Sequence, residues 1–133
     1  MIEFVYNTDF RLANKDVFSR WLISVANDEG FLIDALVFLF VDDNEILEMN
    51  KKFLKHDYYT DVITFGELED NKISGDIAIS IERVSDNSKT YGVEFEDELK
   101  RVMVHGLLHI MGYNDKASND KLVMSQKENK AMK

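Results

Sequence analysis

The run Ala35-Leu36-Val37-Phe38-Leu39-Phe40-Val41 is seven apolar residues without a break. A short continuous apolar run is the mark of a β-strand covered on both faces. Working back toward the start, Asn14 is placed to cap a helix through about Asp28. That helix carries Val17, Phe18, Trp21, Leu22 and Val25 on one face, and Gly30 stops it. Ile2–Tyr6 alternates weakly and reads as a first strand. Working forward, Asp43 is expected to cap a short helix with Ile46, Leu47, Met49, Asn50 and Phe53. Strands follow at Thr60–Phe65 and Gly75–Ile81, and helices at about Ile81–Lys89, Glu94–Met111 and Ser118–Met132. Strands and helices interleave, so the expected class is α/β (α+β): a single small mixed β-sheet of about four strands with several packed helices.

The 133 residues suit one domain spanning 1–133, and 45% hydrophobic side chains suffice for a core. The absence of cysteine excludes disulfide staples, thiol catalysis and thiolate metal sites. No apolar run reaches 18 residues, and Met1 is not followed by a basic-then-apolar leader, so a soluble cytoplasmic protein with no membrane partner is expected. The net charge of −9 opposes indiscriminate phosphate binding. The charge is uneven, however. Residues 1–50 carry a net of −7, residues 51–133 only −2, and residues 116–133 a net of +3. A nucleic-acid site would have to be a local patch on the second half; the plain alternative is a solvated, lysine-rich terminal helix.

The chemistry concentrates in His105-Gly106-Leu107-Leu108-His109-Ile110-Met111-Gly112-Tyr113-Asn114-Asp115. Histidines four apart in a helix lie on one face, about one turn from each other. Two imidazoles so placed can share one metal ion. Gly112 sits where a helix needs a left-handed residue to stop, and the returning chain is expected to bring Asp115 back as a third ligand. A bare histidine pair arises by chance; the glycine and carboxylate at these offsets favour a metal clamp. The spacing resembles that of metzincin proteases, but their general base is the glutamate directly after the first histidine, and here that residue is Gly106. Glu98, seven residues before His105, lies roughly on the histidine face; it either supports a ligand from behind or is an exposed glutamate of the first turn.

A second dense segment runs from Asn50 to Phe65 and holds Lys51, Lys52, Phe53, Lys55, His56, Tyr58 and Tyr59. Lysines with interleaved aromatics suit single-stranded nucleic acid, and equally an ordinary solvated loop. Asp76, in Gly75-Asp76-Ile77, is a turn residue or an orienter of a polar neighbour.

Together these segments resemble the bacterial endoribonuclease YbeY family of rRNA-maturation metalloproteins. The resemblance is carried by Met49-Asn50 with Phe53, by Thr60-Asp61-Val62-Ile63-Thr64-Phe65, by Gly75-Asp76-Ile77 and by the histidine segment, in that order from about Leu36 to Asp115. Gly106 is what this family has. Two departures stand out: Asp115 replaces the family's third metal-binding histidine, and Leu54 replaces an arginine that serves the substrate. Tyr59 replaces a common proline. The resemblance implies a zincin-like metal helix and one zinc ion, or another divalent ion, held by His105, His109 and Asp115. It implies cleavage of single-stranded RNA, with the 16S rRNA 3′ end and the ribosome as partners and no DNA. His105 and His109 belong to the catalytic centre, and Lys55 or His56 would hold the backbone or protonate the leaving oxygen. The competing expectations are a metallohydrolase for another substrate, including peptides, and a ribosome-associated binding protein with structural zinc.

Overall fold

The computed structural model describes residues 1–56 and 60–133. Four strands form one sheet: β1 (Ile2–Tyr6), β2 (Leu32–Val41), β3 (Val62–Glu69) and β4 (Lys72–Ser80), in the order β1-β2-β4-β3. The β1–β2 and β2–β4 pairs are parallel, and β3 runs antiparallel along β4 as one of the two edge strands. The helices are α1 (Lys15–Asp28), α2 (Asp43–Leu54), α3 (Ile81–Tyr91), α4 (Phe95–Ile110) and α5 (Ser118–Met132). The expected class is observed. No helix among the described residues is long and apolar enough to cross a membrane.

The run 35–41 holds the core, but its two faces differ. Leu36, Phe38 and Phe40 point with Ile73, Ile77 and Ile79 of β4 onto α1 and α4, where Leu22, Leu99, Met103 and Leu107 are buried. Among the described residues the opposite face is covered only at one end, where Ile46 of α2 packs on Val41, Ile63 and Ala78. Past α2 it is open, and Glu3, Ala35, Glu67 and Asp76 are exposed there. The expectation of cover on both faces therefore holds for one end of β2 alone.

Several boundaries move for local reasons. Asp42, not Asp43, caps α2: its Oδ1 accepts from the Glu45 N–H at 2.8 Å. Asp43 instead accepts from the Ser80 hydroxyl at 2.8 Å and from Arg83 Nη2 at 2.7 Å, tying α2 to α3. Asn14 makes no side-chain cap; it is left-handed, with φ 57°, and its carbonyl accepts from the N–H groups of Val17 and Phe18. The β3–β4 hairpin runs past the expected strand ends to a turn at Asp70-Asn71, because backbone pairing continues from Gly66↔Gly75 to Glu69↔Lys72, where glycine and polar residues interrupt the apolar pattern around Leu68 and the buried Ile73. Asp76 is accordingly mid-strand, not in a turn. It lies opposite Phe65 on the open face, away from α4, and so orients nothing at the histidines.

Candidate metal centre

Helix α4 lies across β3 and β4 on its small residues. A Cβ at Gly106 would stand 2.9 Å from Ile77 Cγ2 and 3.3 Å from Thr64 Oγ1, and one at Gly66 would stand 2.5 Å from Ile110 Cγ1. Position 106 thus faces the sheet, while His105 and His109 face a cleft beside it. Gly112, with φ 107°, ends the helix and donates its N–H to the His109 carbonyl at 3.0 Å. The returning chain is pinned by Tyr113, whose hydroxyl donates to Glu29 beside α1; Lys127 of α5 donates to the same carboxylate at 3.0 Å. That clamp sets Asp115 two residues later.

The three expected ligands meet. His105 Nε2 lies 3.1 Å from His109 Nε2 and 3.1 Å from Asp115 Oδ2, and His109 Nε2 lies 3.3 Å from the same oxygen. Donors roughly 2.0–2.1 Å from a tetrahedral ion stand roughly 3.3 Å apart, so the three atoms have the dimensions of one face of a tetrahedron. Among the described residues they are the one group of histidines and carboxylates so arranged that it could hold a metal. Two neutral imidazoles and one carboxylate are an ordinary donor set for a borderline-soft divalent ion.

Glu128 of α5 supplies what the sequence did not announce. It is 7% exposed, and its Oε2 lies 2.7 Å from His105 Nδ1 while its Oε1 accepts from Arg101 Nη1 at 3.1 Å. An ionised carboxylate only accepts, so Glu128 favours a proton on Nδ1 and leaves Nε2, the nitrogen beside Asp115 and His109, as the one that can ligate an ion. Burial pulls the His105 pKa down, but Glu128, Asp115 and Asp61 outweigh it, so the pKa is raised. Burial opposes the charge on Asp115 as well, yet the two histidines hold its carboxyl below the usual range. Glu98 does not support a histidine in this way and is not exposed: it is 5% exposed, and burial, with Asp61 and Glu128 nearby, raises its pKa.

The cleft at the three ligands has a volume of about 570 Å³; Leu54, His56, Thr60, Asp61, Thr64 and Lys116 are among its lining. His56 is therefore at the cleft, whereas Lys55 is the left-handed, exposed residue ending α2 and does not line it. Asp57, Tyr58 and Tyr59 of the expected RNA-binding segment lie outside the described residues. Lys116 entered the sequence reading only as part of a charged tail; its place beside Asp115 was the available signal.

A small mixed sheet carrying a helix whose two histidines converge with a carboxylate is a scaffold of metal-dependent hydrolases. Comparison with known proteins narrows that class. Residues 5–133 match the family described as Endoribonuclease YbeY. Endoribonuclease YbeY of Karelsulcia muelleri is 46% identical over 128 residues, covering 96% of this chain and 91% of that protein. The Flavobacterium psychrophilum protein of the same name is 44% identical over 133 residues, covering 100% and 95%. The solution structure of TM1509 from Thermotoga maritima superposes with a TM-score of 0.70 at 28% identity, covering 99% of this chain and 87% of that one. The chain belongs to the endoribonuclease YbeY family, hydrolases named for cutting RNA internally.

Proposed function

We propose that this chain is a single-strand-specific, zinc-dependent endoribonuclease that matures the 3′ end of 16S rRNA and serves ribosome quality control in the cytoplasm. The observation that carries the reading is the convergence of His105, His109 and Asp115 at the wall of a cleft that also presents His56 and Lys116. One zinc ion per chain, held by those three residues, supplies Lewis-acid neutralisation of phosphoryl charge and activation of water. Asp115, as a carboxylate in place of the family's histidine, adds negative charge to that centre. Lys116 holds the phosphate of the strand, and His56 delivers a proton to the leaving oxygen as the P–O bond breaks. Lys55, outside the cleft, meets the backbone further along. Leu54 offers the substrate apolar surface where the family resemblance implies an arginine.

Gly106 favours the nuclease over the peptidase. A glutamate there would point into the sheet, not toward the cleft. Purified protein without a histidine tag, loaded with zinc, should cut single-stranded RNA and leave duplex RNA intact. Chelated protein and His109→Ala should not cut. Lys116→Ala should weaken RNA binding and lower the slope of log affinity against log salt by about 1. Metal-dependent peptide hydrolysis without RNA cleavage would overturn the proposal, as would metal-loaded protein that cuts neither substrate.

A further inference from the structure

We infer that Glu128 is a positioning residue of the metal centre, and that through it the docking of α5 and the binding of the metal form one coupled equilibrium. The inference rests on reading His105, His109 and Asp115 as the metal ligands. Helix α5 contributes little to the apolar core: Met124 and Glu128 are its buried residues, and Leu122 and Val123 are 58% and 40% exposed. Polar anchors hold it instead. Trp21 Nε1 donates to the Ala131 carbonyl at 3.0 Å, Lys127 reaches Glu29, and Glu128 spends one oxygen on Arg101 and the other on His105. The connector between α4 and α5 carries Asp115. An ion bound to the three ligands would thus join α4 to that connector, and Glu128 joins the same histidine to the far part of α5.

Without Glu128, no hydrogen bond among the described residues holds the proton on Nδ1, and the Asp115 carboxylate 3.1 Å from Nε2 would draw it to the nitrogen that must ligate. Ion binding would then have to order the ring itself, and affinity falls. Hydrogen-bond partners behind a ligating histidine are worth roughly 10–100-fold in metal affinity. The coupling is reciprocal: if a docked α5 tightens the metal, the metal must stabilise the docked α5 by the same factor.

The test measures zinc affinity by competition with a chromophoric chelator in wild type, Glu128→Ala, Glu128→Gln and Arg101→Ala. The fold of each is checked by circular dichroism before metal is added. Glu128→Ala should bind roughly 10–100-fold more weakly. Glu128→Gln, which keeps an acceptor oxygen, should fall between it and wild type. Arg101→Ala separates the ion pair from the histidine contact and should stay close to wild type. Nitrogen chemical shifts of the neutral ring, read at alkaline pH, should show His105 protonated at Nδ1 in metal-free wild type and mixed in Glu128→Ala. Zinc should slow hydrogen exchange across α5 in wild type, and much less in Glu128→Ala. Equal zinc affinity in wild type and both Glu128 variants overturns the inference; so does α5 exchange in wild type that ignores zinc. Should Glu128→Ala not fold, the loss or retention of affinity in Glu128→Gln decides. Wild type that binds no zinc overturns the ligand assignment itself, a result distinct from the other two.

Discussion

At Gly106 the backbone of α4 passes so close to β4 that a methyl group would stand 2.9 Å and 3.1 Å from two carbons of Ile77, which is fully buried. Two effects compete in Gly106→Ala. Helix propensity favours alanine by roughly 0.5–1 kcal/mol, while forcing a methyl into a filled core costs roughly 1–3 kcal/mol. The contact should win, with a net loss of about 1 kcal/mol in urea unfolding; a variant more stable than wild type would show that Ile77 yields easily. Gly106→Glu drives a carboxylate into the sheet and should cost several times more. Glu98 carries the opposite sign. Its raised pKa means that the folded state resists its charge. Stability from this group is fully present below the ordinary carboxylate value and is lost as pH rises through the raised one. Glu98→Gln removes that penalty and should raise Tm at pH 7, with the gain fading toward pH 4. A Tm lowered at pH 7 would show that the carboxylate has a structural use.

Helix α5 is held by residues, not by a hydrophobic face, and Tyr113 is the clearest of them. Burial works against the charge of Glu29, but the Tyr113 hydroxyl and Lys127 outweigh it and keep the Glu29 pKa below the usual range. This contribution is present above the ordinary glutamate value and is lost as pH falls through the lowered one. Tyr113→Phe should therefore cost roughly 1–3 kcal/mol at pH 7 and expose α5 to proteolysis or hydrogen exchange ahead of the sheet. An α5 that stays as protected as β4 would show that the clamp is dispensable. The same contrast explains what could be read from the residues alone. Helices α1 and α2 announced themselves through their apolar spacing and α4 through its stop at Gly112, whereas α5 carries no apolar stripe. The three converging site residues were legible because they lie within eleven positions, where helix geometry and one glycine place them. Glu128, Glu29 and Arg101 were not legible, because their partners come from other elements and no periodicity records a contact between helices. The outer half of the β3–β4 hairpin was missed for a related reason: its pairing is made by backbone groups, and Gly66, Glu67, Glu69, Ser74 and Gly75 break the apolar pattern there although Ile73 is buried.

For the molecule as a whole, the distribution of charge matters more than its sum. The acidic first half sits largely in the strands, in α1 and at the start of α2, while the cleft receives Lys116 and His56 from the second half. A polyanion is thereby met by lysine on the side of the molecule that carries the cleft, and repelled more strongly by the acidic first half. The open sheet face beyond α2 has a further consequence through β3. This is an edge strand eight residues long, and its outer half is guarded by Glu67 and Glu69. Charges of this kind stop edge strands from pairing with their neighbours' edges. That protection is colloidal, and acid removes it. Near the sequence pI of about 4.7 the net charge vanishes, so a concentrated solution brought to that pH should cloud by strand-to-strand self-association while the helices stay folded. Glu67→Lys with Glu69→Lys would move the cloud point to higher pH, because the molecule's neutral point moves with its guards.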